Sequence, residues 1–94
     1  MMMTLLIVVR DLDSLDDGST IYASDPWTAH SQVVVAPELD SAGLPFDAQK
    51  LGLKYFLEVF LAKEFLESWV ANLSRESTID EKCARLIQYA VTDA

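Results

Sequence analysis

The sequence predicts a small α+β fold: a sheet of about three strands packed on a C-terminal αα-hairpin, with an N-terminal helix. Three observations predict it. Leu53–Leu73, LKYFLEVFLAKEFLESWVANL, is the longest near-continuous apolar run, and its hydrophobic period changes part-way from two to that of a helix. Gln32-Val33-Val34-Val35-Ala36 is a β-branched run of strand length. Thr78 and Glu81 have capping-box spacing at the head of an amphipathic segment.

In Thr4–Leu15, Leu5, Val8, Val9, Leu12 and Leu15 recur at helical spacing, with Arg10, Asp11, Asp13 and Ser14 on the other side. Thr4 is placed to cap the start. Leu6-Ile7-Val8-Val9 also has strand propensity; the period favours the helix. Asp16-Asp17-Gly18 is turn chemistry. Thr20–Ala23 follows as a short strand and Ser24-Asp25-Pro26 breaks it, since proline has no N–H for a ladder. Gln32–Ala36 is the second strand, so Ser24–Ser31 closes a hairpin through a wide loop that carries Trp27 and His30. Pro37–Pro45, PELDSAGLP, is loop-like, and Pro45 opens a single helical turn that ends at Gly52.

Within the long apolar run, Leu53, Tyr55, Leu57 and Val59 alternate with Lys54, Phe56 and Glu58, the period of a strand. From Ala62 onward, Ala62, Phe65, Leu66, Trp69, Val70 and Leu73 share one helical face, with Lys63, Glu64, Glu67 and Asn72 away from it. One continuous helix would be apolar nearly all round between Tyr55 and Ala62. The run therefore divides into a strand, Leu53–Val59, and a helix from about Phe60 to Leu73, although no Ser, Thr, Asp or Asn caps a helix starting there. Ser74–Ser77 is a short polar connector. The last helix follows, with Ile79, Cys83, Leu86, Ile87, Ala90 and Val91 on one face and Asp80 and Glu81 at the positive end of its dipole. So short a connector folds it back beside the preceding helix.

Length and charge bound the function. The 94 residues make one domain, and 51% of them are apolar. A chain of this size buries only about 60–65% of its unfolded surface, so some apolar side chains either scatter over the outside or gather where a partner, or a second copy, covers them. The net charge is −8. Residues 1–49 hold eight acids against Arg10 alone, a net −7; residues 50–94 hold seven acids and six bases, a net −1. Nucleic acid and anionic membrane surfaces are disfavoured as partners, because both are bound by Lys and Arg. A basic protein partner fits the acidic front half. The single cysteine, Cys83, suits a reducing cytoplasm. MMMTLLIVVR lacks the basic region and cleavage site of a signal peptide and is too short to span a bilayer, so it belongs to the fold.

Chemistry-bearing motifs are sparse. Asp11-Leu12-Asp13-Ser14-Leu15-Asp16 begins like a calcium loop. However, it puts Leu15 at the fifth position, Asp16 where a glycine is needed, and Tyr22 in place of the closing glutamate. His30 is the only histidine, with neither a GxSxG elbow nor a second histidine to pair with. Cys83 lies on an apolar face, with Lys82 and Arg85 pointing elsewhere on the wheel. Glu64 and Glu67 form a solvated helix face. No catalytic residue, metal site or cofactor is expected. Trp69 is a core residue by position. Trp27, in a loop among acids, is the interaction candidate. The candidate binding residues are Trp27, Asp25, His30, Asp16 and Asp17.

Tyr55–Trp69 (YFLEVFLAKEFLESW) and Glu81–Ala94 (EKCARLIQYAVTDA), and more weakly Ser19–Trp27 (STIYASDPW), resemble recurring segments of small uncharacterised bacterial proteins. The resemblance covers about half of the chain and includes no catalytic or ligand signature. It implies a compact bacterial domain of immunity or accessory type and the order helix–strand–strand–strand–helix–helix. Two functions follow as expectations. The first is a non-enzymatic interaction domain that binds a basic protein through the acidic front half with Trp27 as anchor. The second is a homodimeric small-ligand-binding or enzymatic domain with His30 and Asp25 beside a cleft at Trp27–His30. A concave pocket of converging acids in that loop distinguishes the second from the first.

Overall fold

The computed structural model describes residues 3–37 and 46–93, the side chains of residues 46–48 and 93 excepted. The fold is α+β. Its elements are β1 (Met3–Thr4), α1 (Leu5–Arg10), a 3-10 turn (Leu12–Ser14), β2 (Ser19–Ala23), β3 (Gln32–Pro37), α2 (Phe46–Leu51), β4 (Lys54–Glu58), α3 (Val59–Ala71) and α4 (Ile79–Asp93). The strands form one antiparallel sheet in the order β1-β3-β2-β4. The expected three-strand sheet thus gains a fourth member, because Met3 and Thr4 pair with Val33 and Gln32 before the chain turns into α1. The loop expected over Pro37–Pro45 lies, beyond Pro37, outside the described residues.

The N-terminal segment is helical, as its period requires. Thr4 Oγ1 accepts the Ile7 N–H at 3.3 Å and caps α1, and Leu5, Val8, Val9 and Leu12 are buried. The α-helix stops at Arg10 and tightens to a 3-10 turn, ended by the Asp16–Gly18 turn in which the Asp16 carboxylate accepts the Gly18 N–H at 3.0 Å. Gly52 ends α2 at φ +71°, a left-handed conformation that disfavours any residue with a side chain.

The long apolar run does divide into strand and helix, with β4 ending at Glu58 and α3 beginning at Val59. Glu58 takes the N-cap position and makes no side-chain cap bond, so packing starts this helix, not capping. The alternation expected in the strand is corrected. Ile21 pairs with Leu57 and Tyr22 with Tyr55, which leaves Phe56 as an extra residue in β4. Such a bulge breaks the period of two. Phe56 and Leu57, adjacent in sequence, both join the helix-side core; Leu53 joins Tyr22 and Val34 in a separate buried cluster, and Tyr55 is 42% exposed.

The helices form the covering layer. α3 packs on β2 and β4, α1 packs on β1 and β3, and α4 packs on both α1 and α3. The C-terminal helix pair is therefore present, with α1 lying beside it. Phe65 and Tyr89 stack between α3 and α4, centroids 4.3 Å apart. Ala62 and Leu66 of α3 and Cys83, Leu86 and Ala90 of α4 are buried as their periodicity predicts. Val70 and Val91, expected on those same faces, are exposed (39% and 64%) because each lies at the margin of its helix contact, where a groove opens. Lys63, expected to face solvent, instead reaches back to the Leu15 carbonyl (2.8 Å) and the Asp17 carboxylate (2.6 Å).

The capping box forms as its spacing dictates: Thr78 Oγ1 accepts the Glu81 N–H, and Glu81 Oε1 accepts the Thr78 N–H, both at 3.1 Å. Arg75 reaches the same carboxylate from the connector. Thr78→Ala should cost about 1 kcal/mol, read as a fall in the urea midpoint at unchanged slope. The Arg75 guanidinium and then the Thr78 N–H hold the Glu81 carboxyl at about 2, below its ordinary 4.5. Folding therefore favours the carboxylate. That contribution is complete above pH 4.5 and is lost as pH falls through about 2. Between pH 5 and pH 2 the wild type should lose more stability than Glu81→Gln; equal losses in a urea-midpoint series would contradict this assignment.

Candidate functional site

The hairpin loop between β2 and β3 is built around one small side chain. Ser31, 5% exposed, accepts the Thr28 N–H at 2.9 Å, and its hydroxyl hydrogen points toward the carbonyls of Ser24 (2.9 Å) and Pro26 (3.1 Å). Ser24 Oγ accepts the Gln32 N–H, and the loop is tied to the start of α1 by Leu5 N–H to Ser31 O and Leu6 N–H to Ala29 O. The Asp25–Pro26 peptide is cis.

This frame places Trp27. Its Nε1–H donates to the Ala23 carbonyl at 3.4 Å, and its ring meets Phe56 edge-to-face, centroids 4.8 Å apart and planes at 81°. Edge-to-face pairs are a favoured aromatic geometry. The partly buried indole is thus anchored at the core edge. With Asp25, Pro26, Tyr55, Ala90 and Val91, it lines an open groove of about 580 Å³ between the hairpin loop, β4 and the end of α4. Two lining residues are not apparent from the sequence: Tyr55, which the strand period groups with Leu53, Leu57 and Val59, and Val91, which the helix period groups with Cys83, Leu86 and Ala90. A third residue, Lys54, does not line the groove but pairs with the acid that does. Lys54 Nζ lies 2.8 Å from Asp25 Oδ2 in an exposed ion pair, and the hydrogen bond and charge of Asp25 raise the lysine pKa.

The other sequence candidates lie elsewhere. His30 is exposed and does not line the groove; its backbone N–H is bound by Thr28 Oγ1. Asp16 closes its own turn, and Asp17 is held by Lys63. Among the described residues, Asp25 is the one acid in the groove, so the loop brings Trp27 and Asp25 together but not His30, Asp16 or Asp17.

A second groove, about 520 Å³, lies between α1, α3 and the start of α4. Val9, Leu12, Leu66, Val70 and Ile79 give it an apolar floor. Its charges are mixed, with Arg10, Lys63 and Lys82 against Asp13 and Glu67, and two of those cations are already held by Asp11 and Asp17. It favours neither sign of ligand.

Cys83 is buried on α4, and burial, helped by Asp80, pushes its thiol up to about 11, far from the thiolate a nucleophile requires. Among the described residues, no three His, Cys, Asp or Glu side chains cluster as metal ligands, and no helix is long and apolar enough to cross a membrane. No protein-family model matches the chain, and no curated protein or solved structure is significantly similar to it.

Proposed function

We propose that this protein is a small non-enzymatic interaction domain of inhibitor, immunity or accessory type. It works in the cytoplasm and docks a basic segment of a partner protein in the groove between Trp27, Tyr55 and Val91. One observation carries this reading: two aromatic residues and an exposed valine line a groove edged by a carboxylate, on a chain of net charge −8.

The physical logic is that of an interface anchor. Trp and Tyr are enriched where interfaces concentrate their binding energy, since each offers a large rigid area at little entropic cost. Val91, 64% exposed, gains most from being covered. The acidic field draws a basic partner and speeds its encounter, more strongly at low salt. His30 lies off the groove and Asp25 is the one acid lining it among the described residues, so the converging acids that the dimeric ligand-binding or enzymatic alternative calls for do not support that reading.

Selection of a random peptide library on the immobilised protein tests the proposal, with Val91→Arg as the counter-target. Val91 is exposed, so this substitution leaves the core intact. The selected peptides should combine Lys or Arg with an apolar residue, weaken with added salt, and be rejected by Val91→Arg. Acidic or uncharged peptides, or peptides that Val91→Arg retains equally, would contradict it.

A further inference from the structure

The geometry points to Lys54 as an internal placeholder: its ammonium occupies the position at Asp25 that an arginine side chain of the partner takes when it enters the groove. This inference rests on the groove proposed above and specifies what is recognised there, a guanidinium group.

The Lys54–Asp25 pair is exposed on both sides, with side-chain accessibilities of 70% and 48%. An exposed pair of this kind contributes little to stability and exchanges readily. Its acid, Asp25, lines the groove with Trp27 and Tyr55, and Lys54, the residue before Tyr55, reaches that acid from outside the lining. Lys54 ties the edge strand β4 to the hairpin loop through a single contact between ammonium and carboxylate. A guanidinium offers the same carboxylate two parallel hydrogen bonds, and its planar face packs on indole and phenol rings as an ammonium does less well. Asp25, Trp27 and Tyr55 line the one groove and supply both kinds of contact. In the free protein Lys54 satisfies Asp25, so the carboxylate is not left uncompensated; on binding, the lysine is released to solvent at small cost. The device sets a threshold: a partner must bring a group that outcompetes lysine for the acid.

The test is a double-mutant cycle read by NMR on the Trp27 indole N–H, with a blocked leucine–arginine–leucine tripeptide as probe and the same peptide carrying citrulline as its neutral isostere. Removing the competitor should tighten the arginine peptide about two- to fivefold in Lys54→Ala, as the exchange of one exposed pair allows. Asp25→Asn should weaken it, and Lys54→Ala added to Asp25→Asn should change nothing further. The citrulline peptide should not respond to Lys54. An unchanged or weaker affinity in Lys54→Ala overturns the inference, as does an equal gain in the Asp25→Asn background, which would be the general effect of removing a positive charge. Absence of binding by every variant also overturns it. If the peptide library still returns basic sequences that Val91→Arg rejects, the interaction function stands and only the role of Lys54 falls.

Discussion

The extra residue in β4 decides which side chains of that strand enter the helix-side core and which face the other way. With Ile21 opposite Leu57 and Tyr22 opposite Tyr55, Phe56 has no partner of its own in β2. A regular strand would send Phe56 away from Leu57. The bulge instead puts both into the helix-side core, where Phe56 is fully buried and Leu57 nearly so. Three consequences follow. Val59 arrives already buried, and α3 starts there without a side-chain cap. Leu53 is sent to the opposite face beside Tyr22 and Val34. Phe56 also presents its ring to Trp27 and so fixes the wall of the groove from behind. Core packing and the candidate interface share this one side chain.

Electrostatics organises the remainder. The acidic front half is not a uniform field of free carboxylates. Asp11 holds Arg10, Asp17 holds Lys63 and Asp25 holds Lys54, while Asp16 is bonded within its turn. The Asp17 and Asp25 pairs cross from the front half to the back half of the chain, stitching the acidic loops onto α3 and β4. Exposed pairs of this kind contribute little each. Lys63 is the exception in geometry, since its half-buried ammonium also binds the Leu15 carbonyl and locks the end of the 3-10 turn against α3. The charge asymmetry seen in sequence is thus partly neutralised by internal contacts, and Asp25 is the acid that combines this neutralisation with a place on the groove.

Legibility in sequence follows the range of each interaction. Thr78 and Glu81 announce α4 because both capping partners lie within one turn, and Thr4 announces α1 for the same reason. The change of period near Val59 locates the strand–helix junction because burial on each side is periodic. The bulge is invisible, since it is a property of the pairing with β2 and not of β4 alone. So is the reach of Lys63 to Asp17, 46 residues away. Trp27 and Asp25 were recognisable as loop residues of the right chemistry. Tyr55, Val91 and Lys54 were not, because the hairpin, the sheet edge and the end of α4 meet only in the folded chain. Ser31, which organises the loop, has no sequence signal beyond being a serine in a turn.

The bulge is tested by the interproton contacts of Phe56 and Leu57 in the NMR spectrum of the native protein. The bulge predicts that the Phe56 ring lies against the Trp27 indole while the Leu57 methyls, one residue later, lie within the same helix-side core as Ile21 and Val59. A Phe56 ring in contact with Tyr22 or Val34 on the opposite face, with Leu57 alone in the helix-side core, would mean a regular strand and rule the bulge out.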